Sequence, residues 1–219
     1  MPKMITYSTM RIGTIFLRLT FLFIGSFLLN PSLLAQGQGD YKTLRGINPR
    51  YPDNPTYKTF TAAAYPVAIG LPIGIMAVSL ITDNEQGKKI SYEMMGGIVI
   101  TAAGTGLLKQ LINRPRPYET YADIYPDSRE SGNAFPSGHT SLSFSTATTL
   151  LLTTKKWYIA APAYLWGCGV GYSRMYLGQH YPSDVLVGAA TGAAGAYLAH
   201  VIRKKWFNGP RKRKLFQLP

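Results

Sequence analysis

Five stretches of this chain contain no charged side chain: residues 60–82, 94–108, 140–154, 157–173 and 185–199. Runs of this length need surroundings other than water, either lipid or a wide helical core. Strict alternation of apolar and polar residues is missing, which argues against half-buried strands. Gly and Ala are frequent inside the runs, where helices would pack closely. The pattern predicts an all-α bundle of about five transmembrane helices, six with the N-terminal segment.

Two further segments bear on topology. Lys3, Arg11 and Arg18 precede an apolar run at 19–29, and the small-residue stretch Ala35-Gln36-Gly37 follows. This is the layout of a secretory signal; its alternative is an uncleaved N-terminal anchor. The expected organisation is a signal peptide or anchor at 1–37, a polar periplasmic segment at 38–59 with one surface helical turn, a helical domain at 60–203, and a basic cytoplasmic tail at 204–219. If each helix crosses once and residue 38 lies outside, 14 of the 23 basic residues fall on the inner side, counting Lys88, Lys89, Lys155, Lys156 and seven from Arg203 onward with the three above. That asymmetry favours the same orientation. The basic tail follows an apolar helix directly, so it is read as a contact for anionic headgroups and not for nucleic acid.

Composition removes some chemistries. A single cysteine, Cys168, excludes an internal disulfide framework or a multi-thiolate metal site. Ten acidic residues against 23 basic ones leave little material for a carboxylate-bridged two-metal centre, and no metal or other cofactor is expected.

Three clusters carry potential chemistry, all at the outer face under this topology. They are Lys109 with Arg116-Pro117; Pro136-Ser137-Gly138-His139; and Ser173-Arg174 with His180 and Asp184. Lys109, Arg116 and Arg174 supply three cations, and guanidinium groups match phosphate oxygens bidentately. Ser137 and the Gly138 amide precede an apolar run, so a helix beginning there would point free N–H groups at an anion. Pro182 and Ser183 read as a helix start, placing Asp184 in the first turn within reach of the His180 imidazole. A carboxylate so placed fixes the tautomer of a nucleophilic or basic histidine. Two histidines among three cations suggest phosphoryl transfer through a phosphohistidine, one imidazole attacking and the other protonating the departing oxygen.

Neighbouring residues receive simpler readings. Arg114 is taken as a surface residue and His200 as a structural histidine. Tyr118, Tyr121, Tyr125 and Phe135 suggest an aromatic interfacial belt beside the site. Glu119, Asp123, Asp127 and Glu130 read as a solvated acidic loop.

The three clusters resemble the signature of the type 2 phosphatidic acid phosphatase superfamily, over Lys109 to Asp184 and without departure at any signature position. The resemblance implies an all-α fold with a metal-free pocket. It implies His180 as nucleophile, Asp184 as its partner, His139 as general acid, and Lys109, Arg116, Ser137, Gly138 and Arg174 as phosphate ligands. The sequence 181–186 resembles the membrane branch. The expectation is a multi-pass enzyme of the bacterial inner membrane, its site facing the periplasm, hydrolysing a lipid phosphate or pyrophosphate. Isoprenyl pyrophosphate, phosphatidylglycerol phosphate, phosphatidic acid and lipid A are the substrate types considered. The alternative is a soluble periplasmic acid phosphatase acting on small phosphomonoesters.

Overall fold

The computed structural model describes residues 37–207, so the expected signal or anchor and the end of the basic tail lie outside the described residues. The elements are α1 (Gln38–Ile47), α2 (Pro55–Ile81), α3 (Glu85–Ile112), the single turn α4 (Pro117–Thr120), α5 (Gly138–Thr154), α6 (Trp157–Tyr176) and α7 (Pro182–Phe207). No strand occurs among the described residues.

Helix boundaries follow local chemistry. Asn54 and Asn84 cap α2 and α3, accepting from the amides of Thr56 and Gly87 at 2.9 and 3.0 Å. At the far end of α3, Asn113 takes the left-handed conformation (φ 47°) that asparagine tolerates. Pro115 and Pro117 then prevent the helix from resuming, so Arg114 and Arg116 leave it on an extended segment.

The helix that organises the bundle is α5, which packs against α2, α3, α6 and α7. Residues 140–143 and 145–149 on it are all buried. Eight of those nine are Ser, Thr or Ala, and several hydroxyls donate back into their own helix. Ser141, Ser143 and Thr149 reach the carbonyls of Ser137, His139 and Ser145 at 2.8, 2.8 and 2.9 Å. Small side chains allow neighbouring backbones to approach. The closest approach is at Gly192 of α7, where a Cβ would overlap the Ser141 carbonyl oxygen and come within 2.9 Å of the Ser145 nitrogen.

Three helices, α2, α3 and α7, are long and apolar enough to cross a membrane. Their large apolar side chains point outward: Ile69 and Ile73 on α2, Val99 and Leu107 on α3, and Leu186 on α7 are all exposed. The chain is a multi-pass membrane protein. Of the other two long helices, α5 spans only 17 residues, about 25 Å. Protein surrounds α5, which accounts for its hydroxyl-rich sequence.

The segment expected to be a polar connector holds α1, ten residues long, with Leu44 completely buried against Ile124 and Tyr181. Asn48, just after α1, is buried and donates to the carbonyls of Tyr125 and Tyr176 at 2.8 Å each. Residues 38–48 are therefore part of the packed end of the bundle, because Tyr41 and Leu44 give the helix an apolar face that its polar composition hides.

Replacing Gly192 with Ala forces the α5 and α7 backbones apart. A loss of about 1–3 kcal/mol is expected in detergent-solubilised protein. Gly70→Ala, where a Cβ meets nothing within 4 Å, should be neutral or slightly stabilising. Thermal unfolding of the two variants side by side checks this.

Candidate active site

Each sequence cluster sits at a helix end, and these ends share one face of the bundle. Lys109 comes from the last turn of α3 and Arg174 from the last turn of α6, while Ser137, Gly138 and His139 open α5. Between α6 and α7 the chain turns at Gly178 (φ 69°), where a Cβ would come within 2.5 Å of the Tyr125 carbonyl oxygen. That turn delivers His180 to the site, and Asp184 follows one turn later.

The carboxylate of Asp184 is fully buried and held from two sides. Arg114 donates to Oδ1 at 2.8 Å, and the Tyr181 amide donates to Oδ2 at 2.8 Å. His180 Nδ1 stands 3.6 Å from the same Oδ2, beyond hydrogen-bond length but within a small rotation of the ring.

Arg114 is not a surface residue. It is 4% exposed, lies 3.8 Å above the Tyr181 ring, and joins two carboxylates. Besides Asp184 it donates to Asp40 Oδ2 at 2.8 Å and to Ser183 Oγ at 2.7 Å. Asp40 in turn accepts the Ser183 amide at 3.0 Å in the first turn of α7, a favourable place for a negative charge. The flanking prolines force Arg114 to leave the helix axis, which turns it inward.

The two arginines are nearly buried and Lys109 is half-buried. Arg116 donates to the carbonyls of Gly132, Gln179 and Ser131 at 3.1, 3.2 and 3.3 Å. Lys109 donates to the Asn133 carbonyl, and Asn133 returns a bond to the Lys109 carbonyl at 2.8 Å. Arg174 is 1% exposed. His180 is buried within the field of Arg174, Arg116 and Lys109. Burial first, and those cations second, hold its imidazole well below the ordinary histidine value, so it is neutral at pH 7. His139 lies in the field of the same three cations, with the Tyr65 ring edge-on at 4.4 Å.

Glu130, expected in a solvated loop, bridges the two arginines. Its oxygens lie 2.6 Å from Arg174 and 3.1 Å from Arg116. Burial alone would raise its pKa, but those guanidiniums hold it below the usual glutamate range. The other three acidic residues are also engaged. Asp123 takes Tyr41 and Arg45, Asp127 takes Gln179, and Glu119 accepts the Arg116 amide. The aromatic residues pack inward and form no belt. Phe135 is buried against Val187, Tyr121 stacks on Tyr41 at 4.1 Å, and the Tyr118 hydroxyl donates to the Glu130 carbonyl.

The structure thus gathers all eight expected site residues and adds Arg114, Asp40, Glu130, Gln179 and Tyr65. Asp40 had no signal in the sequence, since its partners lie 74 and 143 positions away. Glu130 had a weak one: in so acid-poor a chain, a carboxylate between two cationic clusters is a candidate partner for them.

Membrane-crossing helices, with a cation-lined pocket and a carboxylate-backed histidine at one end, define a class of helical membrane proteins that handle a small anion. The comparisons narrow it. Residues 92–208 match the PAP2 superfamily. The chain is 30% identical over 162 residues to the lipid A 4'-phosphatase of Bacteroides thetaiotaomicron, an alignment covering 69% of this chain and 72% of that protein. It is 28% identical over 148 residues to the undecaprenyl-diphosphatase of Sulfolobus acidocaldarius, covering 64% and 67%. Its fold is shared with the transmembrane PAP2 type phosphatidylglycerolphosphate phosphatase from Bacillus subtilis, at a TM-score of 0.63 and 22% identity over 86% of this chain and 96% of that one. The chain belongs to the PAP2 superfamily.

Two outcomes test the site architecture. Arg114→Ala strands the Asp40 and Asp184 carboxylates and should cost about 3–5 kcal/mol of stability in thermal unfolding. Glu130→Gln removes an internal competitor for the two guanidiniums. Inorganic phosphate should then bind roughly threefold to tenfold more tightly by calorimetry.

Proposed function

We propose that this protein is a metal-independent phosphatase that hydrolyses a lipid phosphate or pyrophosphate through a phosphohistidine. The observation that carries the reading is the placement of a neutral, carboxylate-backed His180 among Lys109, Arg116 and Arg174 at the end of a bundle with lipid-facing helices. The relatives named above act on a lipid A phosphate and an isoprenyl diphosphate, which supports a lipid-anchored substrate.

In the proposed reaction the substrate phosphate displaces the Glu130 carboxylate from Arg116 and Arg174. Lys109 and the free amides at the start of α5, at Gly138 and His139, complete the anion site, with Ser137 as its N-cap. His180 Nε2 attacks phosphorus. The P–O bond to the lipid breaks, and His139 protonates the departing oxygen. Asp184 stabilises the positive charge that develops on His180. Water then attacks the phosphohistidine with His139 accepting its proton, the P–N bond breaks, and phosphate leaves. The cations stabilise the equatorial oxygens as charge spreads over them.

The proposed location is the bacterial inner membrane with the site facing the periplasm. Lys88, Lys89, Lys155, Lys156, Arg203, Lys204 and Lys205 all belong to helix ends opposite the site, as the positive-inside asymmetry requires. The outward apolar faces of α2, α3 and α7 weigh against the soluble alternative.

His180→Ala should abolish phosphate release while the protein still inserts into membranes and unfolds at its normal temperature. Substantial residual activity would remove the nucleophile assignment. Phosphate release from lipid A, isoprenyl diphosphate, phosphatidic acid, phosphatidylglycerol phosphate and a water-soluble ester should rank the lipids first and survive EDTA. Preference for the soluble ester would overturn the lipid reading.

A further inference from the structure

The end of the bundle opposite the site holds two adjoining cavities. One, of about 340 Å³, lies among the first turns of α3, the last turn of α5 and the last turns of α7. Lys89, Lys155, Arg203 and Lys204 line it, with Glu93 and His200 at its wall. The other, of about 600 Å³, is an apolar groove bounded by Leu71, Ile75 and Val78 of α2, Ile90 of α3, Leu150 of α5 and Ile159 of α6. Gln86 and Ile90 line both, so the basic cavity and the apolar groove meet there.

Charge in the basic cavity is unbalanced. Glu93 is buried and already engaged, by His200 Nδ1 at 2.5 Å and by Arg203. Its neighbour Lys88 is neutralised by Asp83 and Glu85. Lys89, Lys155 and Lys204 have no ion-pair partner among the described residues. Four cations against one carboxylate leave a formal excess of three positive charges. A phosphodiester headgroup offsets part of that excess, and the groove beside it takes an acyl chain. The apolar side chains Val78, Leu80 and Ile81 at this end of α2 are exposed, which sets the groove at the level of lipid and not of water.

We infer that this protein carries a second phospholipid site, at the membrane face opposite the catalytic pocket. Its occupant is an anionic phospholipid, with the headgroup phosphate among Lys89, Lys155 and Lys204 and one chain in the groove between α2, α3 and α6. The site stands apart from the proposed reaction. Lys89 and Lys109 are separated by 20 residues of a single helix, about 30 Å. The headgroup cavity joins α3, α5 and α7, whose other ends carry Lys109, His139 and Asp184, so a lipid seated there ties together the helices that shape the pocket. A ligand that binds only the folded bundle stabilises it by mass action.

The test uses the purified full chain in a neutral detergent. Thermal unfolding is followed with added phosphatidylglycerol, phosphatidylcholine or inorganic phosphate. Phosphatidylglycerol should raise the unfolding temperature and phosphatidylcholine should not, while any gain with inorganic phosphate, which the catalytic pocket binds, should be unchanged by substitution of Lys89, Lys155 and Lys204. The gain with phosphatidylglycerol should shrink at 1 M salt, where charges are screened beyond about 3 Å. Lys89→Gln/Lys155→Gln/Lys204→Gln should weaken phosphatidylglycerol binding roughly 100-fold, at about fivefold per cation. The control Lys42→Gln/Lys58→Gln, near the other face, should leave binding unchanged. Ile75→Trp, which fills the groove, should reduce the gain with phosphatidylglycerol and keep phosphate release. Equal stabilisation by phosphatidylcholine, or a triple variant that phosphatidylglycerol stabilises as much as the unaltered protein, would each overturn the site. If the triple variant does not fold, the lipid and salt comparisons on the unaltered protein decide the question.

Discussion

Arg114 placed between Asp40 and Asp184 is the contact on which the rest of the site depends. A buried arginine with two carboxylates is stable only as a complete set, since each member left alone is an uncompensated charge at low dielectric. The set joins α1, the segment leaving α3 and the first turn of α7. It also decides where the Asp184 oxygens point. With one oxygen taken by Arg114 and the other by the Tyr181 amide, the carboxylate cannot turn away from His180. The position of His180 is thus set by elements that lie far apart in the chain, and the 3.6 Å gap to Asp184 is small because those elements are locked together.

The same end of the bundle shows why α5 has so unusual a composition. To bring the ends of α3, α6 and α7 around a single anion, the helices must approach closely, and bulky side chains would hold them apart. Small Ser, Thr and Ala side chains on α5, facing Gly192 on α7, provide that closeness, and hydroxyls such as those of Ser141 and Thr149 bond within the helix. Packing and chemistry are therefore linked. The helix whose buried positions are mostly Ser, Thr and Ala is also the one whose N-terminus opens on the site.

Much of this was legible in the chain. Uncharged runs marked the long helices, and the order and spacing of Lys109, Arg116, His139, Arg174, His180 and Asp184 marked the pocket, because those residues sit at helix ends where sequence and position are tied. What could not be read depends on partners distant in sequence. Asp40 and Arg114 carry no local sign of their meeting. The 38–48 segment looked like a connector because its apolar face is narrow and its composition polar. Tyr118, Tyr121 and Phe135 suggested a lipid-facing belt, yet their rings found protein surfaces first, at Tyr41 and Val187 among others. Glu130 departs from the solvated acidic loop for a related reason, while Glu119 and Asp127 stay exposed. In a chain with 23 basic and 10 acidic residues, a carboxylate near buried guanidiniums meets them before it meets water.

That scarcity of acid bears on how the proposed chemistry would be timed. Burial, together with the field of Arg174, Arg116 and Lys109, keeps the His180 imidazole neutral with its lone pair free to attack, while Glu130 bridges the two arginines. An arriving phosphate brings negative charge to the same cations and releases Glu130 toward water. The positive field around both histidines then falls, and an imidazole in the pocket takes up a proton more readily than before. On this reading one set of three cations does opposite things at successive moments. It keeps the nucleophile unprotonated until substrate arrives, and once neutralised by substrate it allows the general acid to charge. A pocket richer in carboxylates would lose the first effect, and one without Glu130 would have nothing for the substrate to displace.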